Sequence, residues 1–188
     1  KKERKKGVMM QMVSSGPDTR FKNIRNTYFK MINEAEDHIY IETPYFVPDD
    51  AIFESLKIAA LSGIDVKIIF PGNPDHPFVY WASMSYLGDL LEAGVKCYQY
   101  KKGFIHSKAV FMDGIVASVG TTNMDIRSLY VNFEINAIIY DEKISQMLEE
   151  DFINDLKDCE EVTKEWYYSR PWRFRLKEAI SRLISPIL

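Results

Sequence analysis

The stretch Phe104-Ile105-His106-Ser107-Lys108-Ala109-Val110-Phe111-Met112-Asp113-Gly114-Ile115-Val116-Ala117-Ser118-Val119-Gly120-Thr121-Thr122-Asn123 decides how this chain is read. Residues 108–112 and 115–119 look like a tight pair of strands joined at Asp113-Gly114, a strong hairpin signal. On a strand, residues two apart face one side, so His106 and Lys108 are expected to converge on one point. An ammonium beside an imidazole opposes a divalent metal ion but suits an anion. Lys108 would neutralise nonbridging oxygens while the imidazole approaches phosphorus. Asn123, just past the next strand and after Gly120, can donate to the same oxygens, and Thr121 adds a hydroxyl. Glu134 opens a further strand and can accept the second ring proton of His106, fixing its tautomer.

Around this stretch, strands and helices alternate. Residues 8–14 read as a strand ended by Ser15-Gly16-Pro17. Asp18 or Thr19 can then cap a helix carrying Phe21, Ile24, Tyr28, Met31 and Ile32. Residues 38–42 form a second strand, Asp49 or Asp50 opens another helix, and Gly63 stops it. A strand at 66–70, a helix at about 78–93 ended by Gly94, and a strand near 95–100 follow. Beyond the hairpin come a strand at 133–140 and an amphipathic helix at 142–156. The alternation predicts an α/β fold, a layered α-β-α sandwich around a mixed, largely buried sheet. No internal repeat is visible.

Composition narrows the function. The 188 residues are 46% hydrophobic and 27% charged, ordinary for one globular domain, here 1–188, and disorder or a disulfide scaffold is excluded. Cys97 and Cys159 belong to no CxxC or Cys/His cluster, so a zinc framework is not expected and a reduced, cytoplasm-facing protein is; no metal or cofactor is expected. No apolar run approaches the length of about 20 residues that spans a bilayer. No secretory signal is visible, and the charged start without methionine reads as an excised piece of a longer protein. The net charge of −3 is uneven: residues 1–6 hold five basic residues and 170–188 hold five more, leaving 7–169 with 14 basic and 25 acidic residues, a net of −11. A body that acidic repels a polyanion, so nucleic acid is not an expected partner; the basic ends suit a negatively charged surface.

The spacing His106-x-Lys108-(x)4-Asp113-(x)6-Gly120-Thr121-x-Asn123 resembles the signature of the phospholipase D superfamily. The flanks Ile41-Glu42-Thr43-Pro44-Tyr45-Phe46-Val47-Pro48, Pro74-Asp75-His76-Pro77-Phe78, Ala117 to Ser128 and Ser185-Pro186-Ile187-Leu188 look like the C-terminal half of the bacterial cardiolipin synthase family. The resemblance implies metal-independent phosphatidyl transfer between two phosphatidylglycerol molecules through a phosphohistidine, at the cytoplasmic face of a bacterial membrane. Carried over, His106, Lys108 and Asp113 are the catalytic signature, Lys108, Asn123 and Thr121 bind the phosphoryl group, and Glu134 orients the histidine. Asp113, at the turn, is expected to brace its loop. Whether His106 is nucleophile or acid/base is left open.

The family pattern needs two signatures and this chain has one. The other half would come from the same polypeptide or from a homodimer mate, with an anionic phospholipid and the membrane surface as further partners. A nuclease of the same superfamily acting as a dimer, or a catalytically silent partner domain, are the competing readings. His38, in a strand among apolar residues, reads as a core histidine; His76, between prolines, reads either as rigid loop or as substrate lining. Asp125 and Arg127 read as a local ion pair or as headgroup contacts, and Tyr45 and Phe46 as channel wall or core. The C-terminal helix at about 170–188, with Trp172, Leu176, Ile180, Leu183, Ile184 and Ile187 among basic residues, reads as membrane-facing or docked on the sheet.

Overall fold

A computed structural model describes residues 7–184; the basic run 1–6 and the closing 185–188 lie outside the described residues. Eight strands form one mixed sheet in the order β1-β9-β7-β6-β2-β4-β5-β10. Their ranges are β1 Met10–Ser15, β2 His38–Glu42, β4 Asp65–Pro71, β5 Lys96–Tyr100, β6 Ala109–Met112, β7 Val116–Gly120, β9 Glu134–Ile139 and β10 Cys159–Glu161. The short β3 (Phe46–Val47) and β8 (Met124–Asp125) pair in parallel apart from it.

Strands β2, β4 and β5 run parallel. Their crossovers, α2 (Asp50–Leu61) and α3 (Pro77–Ala93), lie on one face together with α1 (Asn23–Glu34), as right-handed connections require. The principal core forms there, around Ile24, Tyr28, Ile39, Ile41, Leu56, Ile68 and Leu87. The opposite face carries α5 (Glu142–Asp155), whose Phe152 packs with Ile69, Phe111 and Ala117. The layered α/β reading holds, and β10, β3, β8 and the short α4 (Ile126–Tyr130) are additions to it.

Some caps differ from expectation. Helix α2 is capped by Asp49, whose carboxylate accepts from the Ile52 N–H at 2.9 Å. Helix α1 begins later than Asp18 or Thr19 would have it. Its Ile24 N–H is met at 2.9 Å by the Ser15 hydroxyl at the end of β1, so the cap comes from a neighbouring strand. The C-terminal region resolves into α6 (Lys164–Ser169) and α7 (Trp172–Ile184), and α7 packs against α3.

The hairpin between β6 and β7 turns at Asp113 (φ 55°) and Gly114 (φ 64°), both left-handed, as a mirror-image two-residue turn requires. An aspartate is held there because its carboxylate accepts three backbone N–H groups, from Glu36, Asp37 and His38, at 2.9, 3.0 and 2.8 Å. Asp113 therefore locks the hairpin to the start of β2. Next to it, His38 lies between Asp37 (2.7 Å) and Glu149 (3.0 Å). Glu149 also accepts the Gly114 N–H at 2.8 Å. The Glu149 hydrogen bond is the main cause that raises the His38 imidazole to about 9, against some opposition from burial.

Two outcomes follow from this corner. Asp113→Ala leaves three N–H donors without their acceptor and is expected to lower stability by about 2–4 kcal/mol in denaturant melts, with Asp113→Asn intermediate. A histidine raised on folding stabilises fully below its ordinary value near 6.5, and that contribution is lost as pH climbs through about 9. Thermal melts should thus fall between pH 6.5 and 9.5 for the parent protein, while Glu149→Gln should flatten that slope.

Candidate functional site

The segment from His106 to Lys108 precedes β6 rather than belonging to it. The alternation expected of a strand nevertheless holds. Ile105, Ala109 and Phe111 lie in the α5-side core and Val110 in the opposite one, so His106 and Lys108 share the parity of Val110. Ser107, of the other parity, hydrogen-bonds to Glu42. Glu42 itself is only 6% exposed, and burial pushes its carboxyl up to about 7, with Asp155 and Asp151 adding to the rise. This buried acid below the signature was not singled out from the sequence; its place at the end of an otherwise apolar strand, His38–Glu42, was the available signal.

Lys108 is half-buried and its ammonium donates to the His106 carbonyl at 2.9 Å. Burial draws the ammonium below the usual lysine value, and the nearby charges of Glu134 and Asp125 pull it back up. The His106 ring is exposed, and its contact is with the ring of Phe104, centroids 5.7 Å apart. The bond expected from His106 to Glu134 is not formed. Glu134 instead accepts from the Thr121 hydroxyl and from Asn132 Nδ2 at 3.3 Å. Thr121 also accepts the Ile135 N–H at 3.0 Å, so its hydroxyl braces the loop rather than standing open to a ligand.

Asp113 braces the hairpin, as expected from its place at the turn. It lies across the length of β6 from Lys108, roughly 16 Å at the rise of an extended chain. With its carboxylate filled by the start of β2, it is a positioning residue for the hairpin.

What shapes the Gly120–Asn123 loop is Asn136, fully buried in β9. Its amide nitrogen donates to Tyr28 at 2.7 Å and Ser118 at 2.9 Å, and its oxygen accepts the Thr122 hydroxyl at 2.7 Å. Gly120 sits directly beside it: a Cβ there would come within 2.4 Å of the Asn136 oxygen and the Ile135 carbonyl. Thr43, at the end of β2, accepts the Met124 N–H at 3.0 Å and so ties the far side of the loop.

Asn123 is thereby held beside Asp125, whose carboxylate it hydrogen-bonds, while Asn123 Oδ1 is buried without a partner. Asp125 caps α4 through the Ser128 N–H at 2.6 Å. The ion pair considered for Asp125 and Arg127 is therefore replaced by a helix cap. Burial raises the Asp125 carboxyl above its ordinary value.

Asn123 and Asp125 form one wall of a cavity of about 480 Å³, closed by Tyr45, His76, Arg127 and the first turn of α3. His106 and Lys108 are not among the residues that line it. Tyr45 donates to Asp75 at 2.6 Å, and burial followed by that carboxylate holds its phenol protonated well above the tyrosine range. His76 lies 3.8 Å from Asp75 and lines the cavity, whereas Phe46 is core. His38 belongs to the hairpin corner. The arrangement offers one imidazole, one cation and one amide at a single sheet end beside a cleft, a set suited to a phosphoryl group. Among the described residues no group of three or more His, Cys, Asp or Glu side chains could hold a metal ion.

The family described as "Cardiolipin synthase, PLD-like domain" matches residues 28–156. The cardiolipin synthase of Oceanobacillus iheyensis is 51% identical over 181 residues, covering 96% of this chain and 38% of its own length. The major cardiolipin synthase of Bacillus subtilis is 52% identical over 184 residues, covering 98% and 38%. The chain thus spans well under half the length of these curated relatives. Among solved structures, phosphatidylserine synthase of Haemophilus influenzae superposes with a TM-score of 0.77 at 16% identity, over 95% of this chain and 48% of that one. The phospholipase D family member Nuc of Salmonella typhimurium superposes with 0.70 at 19% identity, over 84% and 99%. These last two share the fold. With its signature, its sheet order and the match across most of its length, the chain belongs to the cardiolipin synthase PLD-like domain family.

Proposed function

We propose that this chain is one catalytic half of a phosphatidyltransferase that joins two phosphatidylglycerol molecules into cardiolipin and releases glycerol. The observation that carries the reading is the half-buried Lys108 ammonium beside His106 at the sheet end where the Asn136-braced loop presents Asn123. One histidine attacks phosphorus, forming a P–N bond and breaking the bond to the glycerol oxygen, which takes its proton from the second histidine. That second histidine then removes the proton of the incoming lipid hydroxyl, whose oxygen displaces the first from phosphorus. Lys108 and the amide nitrogen of Asn123 stabilise the charge that gathers on the nonbridging oxygens. His106 fills one of the two histidine roles.

The second histidine would come from a complementary half, and two features support one. The curated relatives extend far beyond the length matched here. The α5-side face of the sheet also leaves Met10, Met12, Val119 and Ile135 exposed at the β1-β9-β7 end, next to Thr121 and Glu134. That apolar sheet face is the surface on which we infer the complementary half packs, of the same polypeptide or of a homodimer mate. We assign the reaction to the cytoplasmic face of a bacterial membrane on the family resemblance, and the net charge of −11 over residues 7–169 argues against a nucleic-acid substrate. No helix among the described residues is long and apolar enough to cross a membrane.

In the full-length protein that contains this chain, His106→Ala is expected to lower glycerol release from phosphatidylglycerol vesicles by about 10³-fold or more. Lys108→Met is expected to cost about 10²-fold. Release at the parental rate from either variant would remove the assignment. The 188-residue chain alone, shown by light scattering to be monomeric, should give no turnover; steady release from that monomer would overturn the need for a second half.

A further inference from the structure

Helix α7 is packed with its amphipathicity turned outward. The residues facing α3 and α6 are Phe174, Glu178 and Ser181. Phe174 stacks on Trp81 with centroids 5.3 Å apart, and Glu178 pairs with Arg170 at 2.5 Å while lying close to the Tyr167 hydroxyl. On the opposite side stand Trp172, Leu176, Ile180 and Leu183, exposed by 71, 51, 50 and 83%. At the pitch of an α-helix these four fall within an arc of about 100°, directly away from the packed side. A helix already held to its own domain by one aromatic stack and polar contacts, with its apolar stripe in solvent, is built for another partner.

Charge identifies that partner. Arg173 and Lys177 border the stripe on one side, Arg175 and Arg182 on the other. Lys177 and Arg182 lie over the rings of Trp81 and Tyr86, and Arg175 over Tyr168. Trp166 and Tyr168, both partly exposed, extend the surface from α6. An apolar stripe edged by cations and aromatic rings complements the boundary layer of an anionic bilayer, where acyl chains meet charged headgroups. The helix also starts where lipid would be needed. Trp81, under Phe174, is one turn along α3 from Pro77, and the cavity is lined by Pro77, Phe78 and Val79.

We propose that the outward face of α7 docks on an anionic lipid surface, setting the mouth of the Asn123–His76 cavity against the headgroup layer. The choice of lipid as occupant rests on the phosphatidyl-transfer reading, so the test uses a lipid without a glycerol headgroup. The intact 188-residue chain is floated with vesicles of phosphatidylserine in phosphatidylcholine, and with phosphatidylcholine alone. It is expected to bind the anionic vesicles, less so as salt is raised, with a blue shift of tryptophan emission that Trp172→Phe removes.

The triple variant Leu176→Gln, Ile180→Gln, Leu183→Gln is expected to lower partitioning about ten-fold or more. Its melting curve should stay parental, because the three side chains are exposed. Failure of the parent to float with anionic vesicles, or equal binding by the triple variant, overturns the proposal. So does a concentration-dependent dimer that the triple variant abolishes, since that assigns the face to a second copy. None of these outcomes bears on glycerol release, which judges the reaction separately.

Discussion

One buried amide organises this end of the molecule. Asn136 has no access to water, and its nitrogen and oxygen are both satisfied, by Tyr28, Ser118 and Thr122, which come from a helix, a neighbouring strand and a loop. A buried amide left short of partners costs about 1–3 kcal/mol, so these elements are pinned together or all are penalised. The close approach also demands glycine at 120, since any side chain would collide with the amide. From this contact follow the path of residues 120–123, the place of Asn123, and the seat of Asp125 as the cap of α4. Burial pushes the Tyr28 phenol up to about 12, against the lowering effect of its Ser118 and Asn136 hydrogen bonds, so the donor pattern does not change in the ordinary pH range.

The electrostatics of the site are those of half a machine. Lys108 loses part of its hydration on burial, and Glu134 and Asp125 return part of that loss. A single cation so balanced suits one phosphodiester charge more than a polyanion, in keeping with the acidic body around it. A nucleophile that has become covalently attached to phosphorus no longer has its lone pair to serve as base for the second step. One imidazole therefore cannot perform both tasks, and Glu134 is occupied by Thr121 and Asn132 rather than by the histidine of its own chain. The open His106 ring is consistent with chemistry completed from outside the chain.

Much of the fold was legible because its signals are local. The alternation of short apolar runs with helical ones, Asp49 ahead of α2, Gly94 after α3 and Asp113-Gly114 at the hairpin each act within a few residues. What was not legible depends on partners distant in sequence. Nothing near Asn23 reveals that Ser15 caps α1, and Asn136 within an apolar strand gives no hint of Tyr28, 108 positions away. The site divides likewise. The spacing located His106, Lys108 and Asn123 at one end of the sheet, but it could not tell that Asp113 serves the start of β2, or that Glu134 and Thr121 satisfy one another. Those assignments depend on which of several reachable donors stands nearest, which only the packed chain decides.

Among the described residues, the β1-β9-β7 face and the apolar stripe of α7 lie on opposite sides of the sheet, and their chemistry separates them. Strand β1, which carries Met10 and Met12, has no charged residue. The centre of a protein–protein interface is depleted of charge in the same way. Helix α7 instead carries Arg173, Arg175, Lys177 and Arg182 around its stripe, and its one acid, Glu178, is turned inward to Arg170. Basic residues beside apolar ones are unfavourable to bury against protein but cost little where the apolar part enters acyl chains and the charges stay among anionic headgroups. The sheet face thus suits a protein and the helix suits a lipid, while the cavity is lined in part by the first turn of α3.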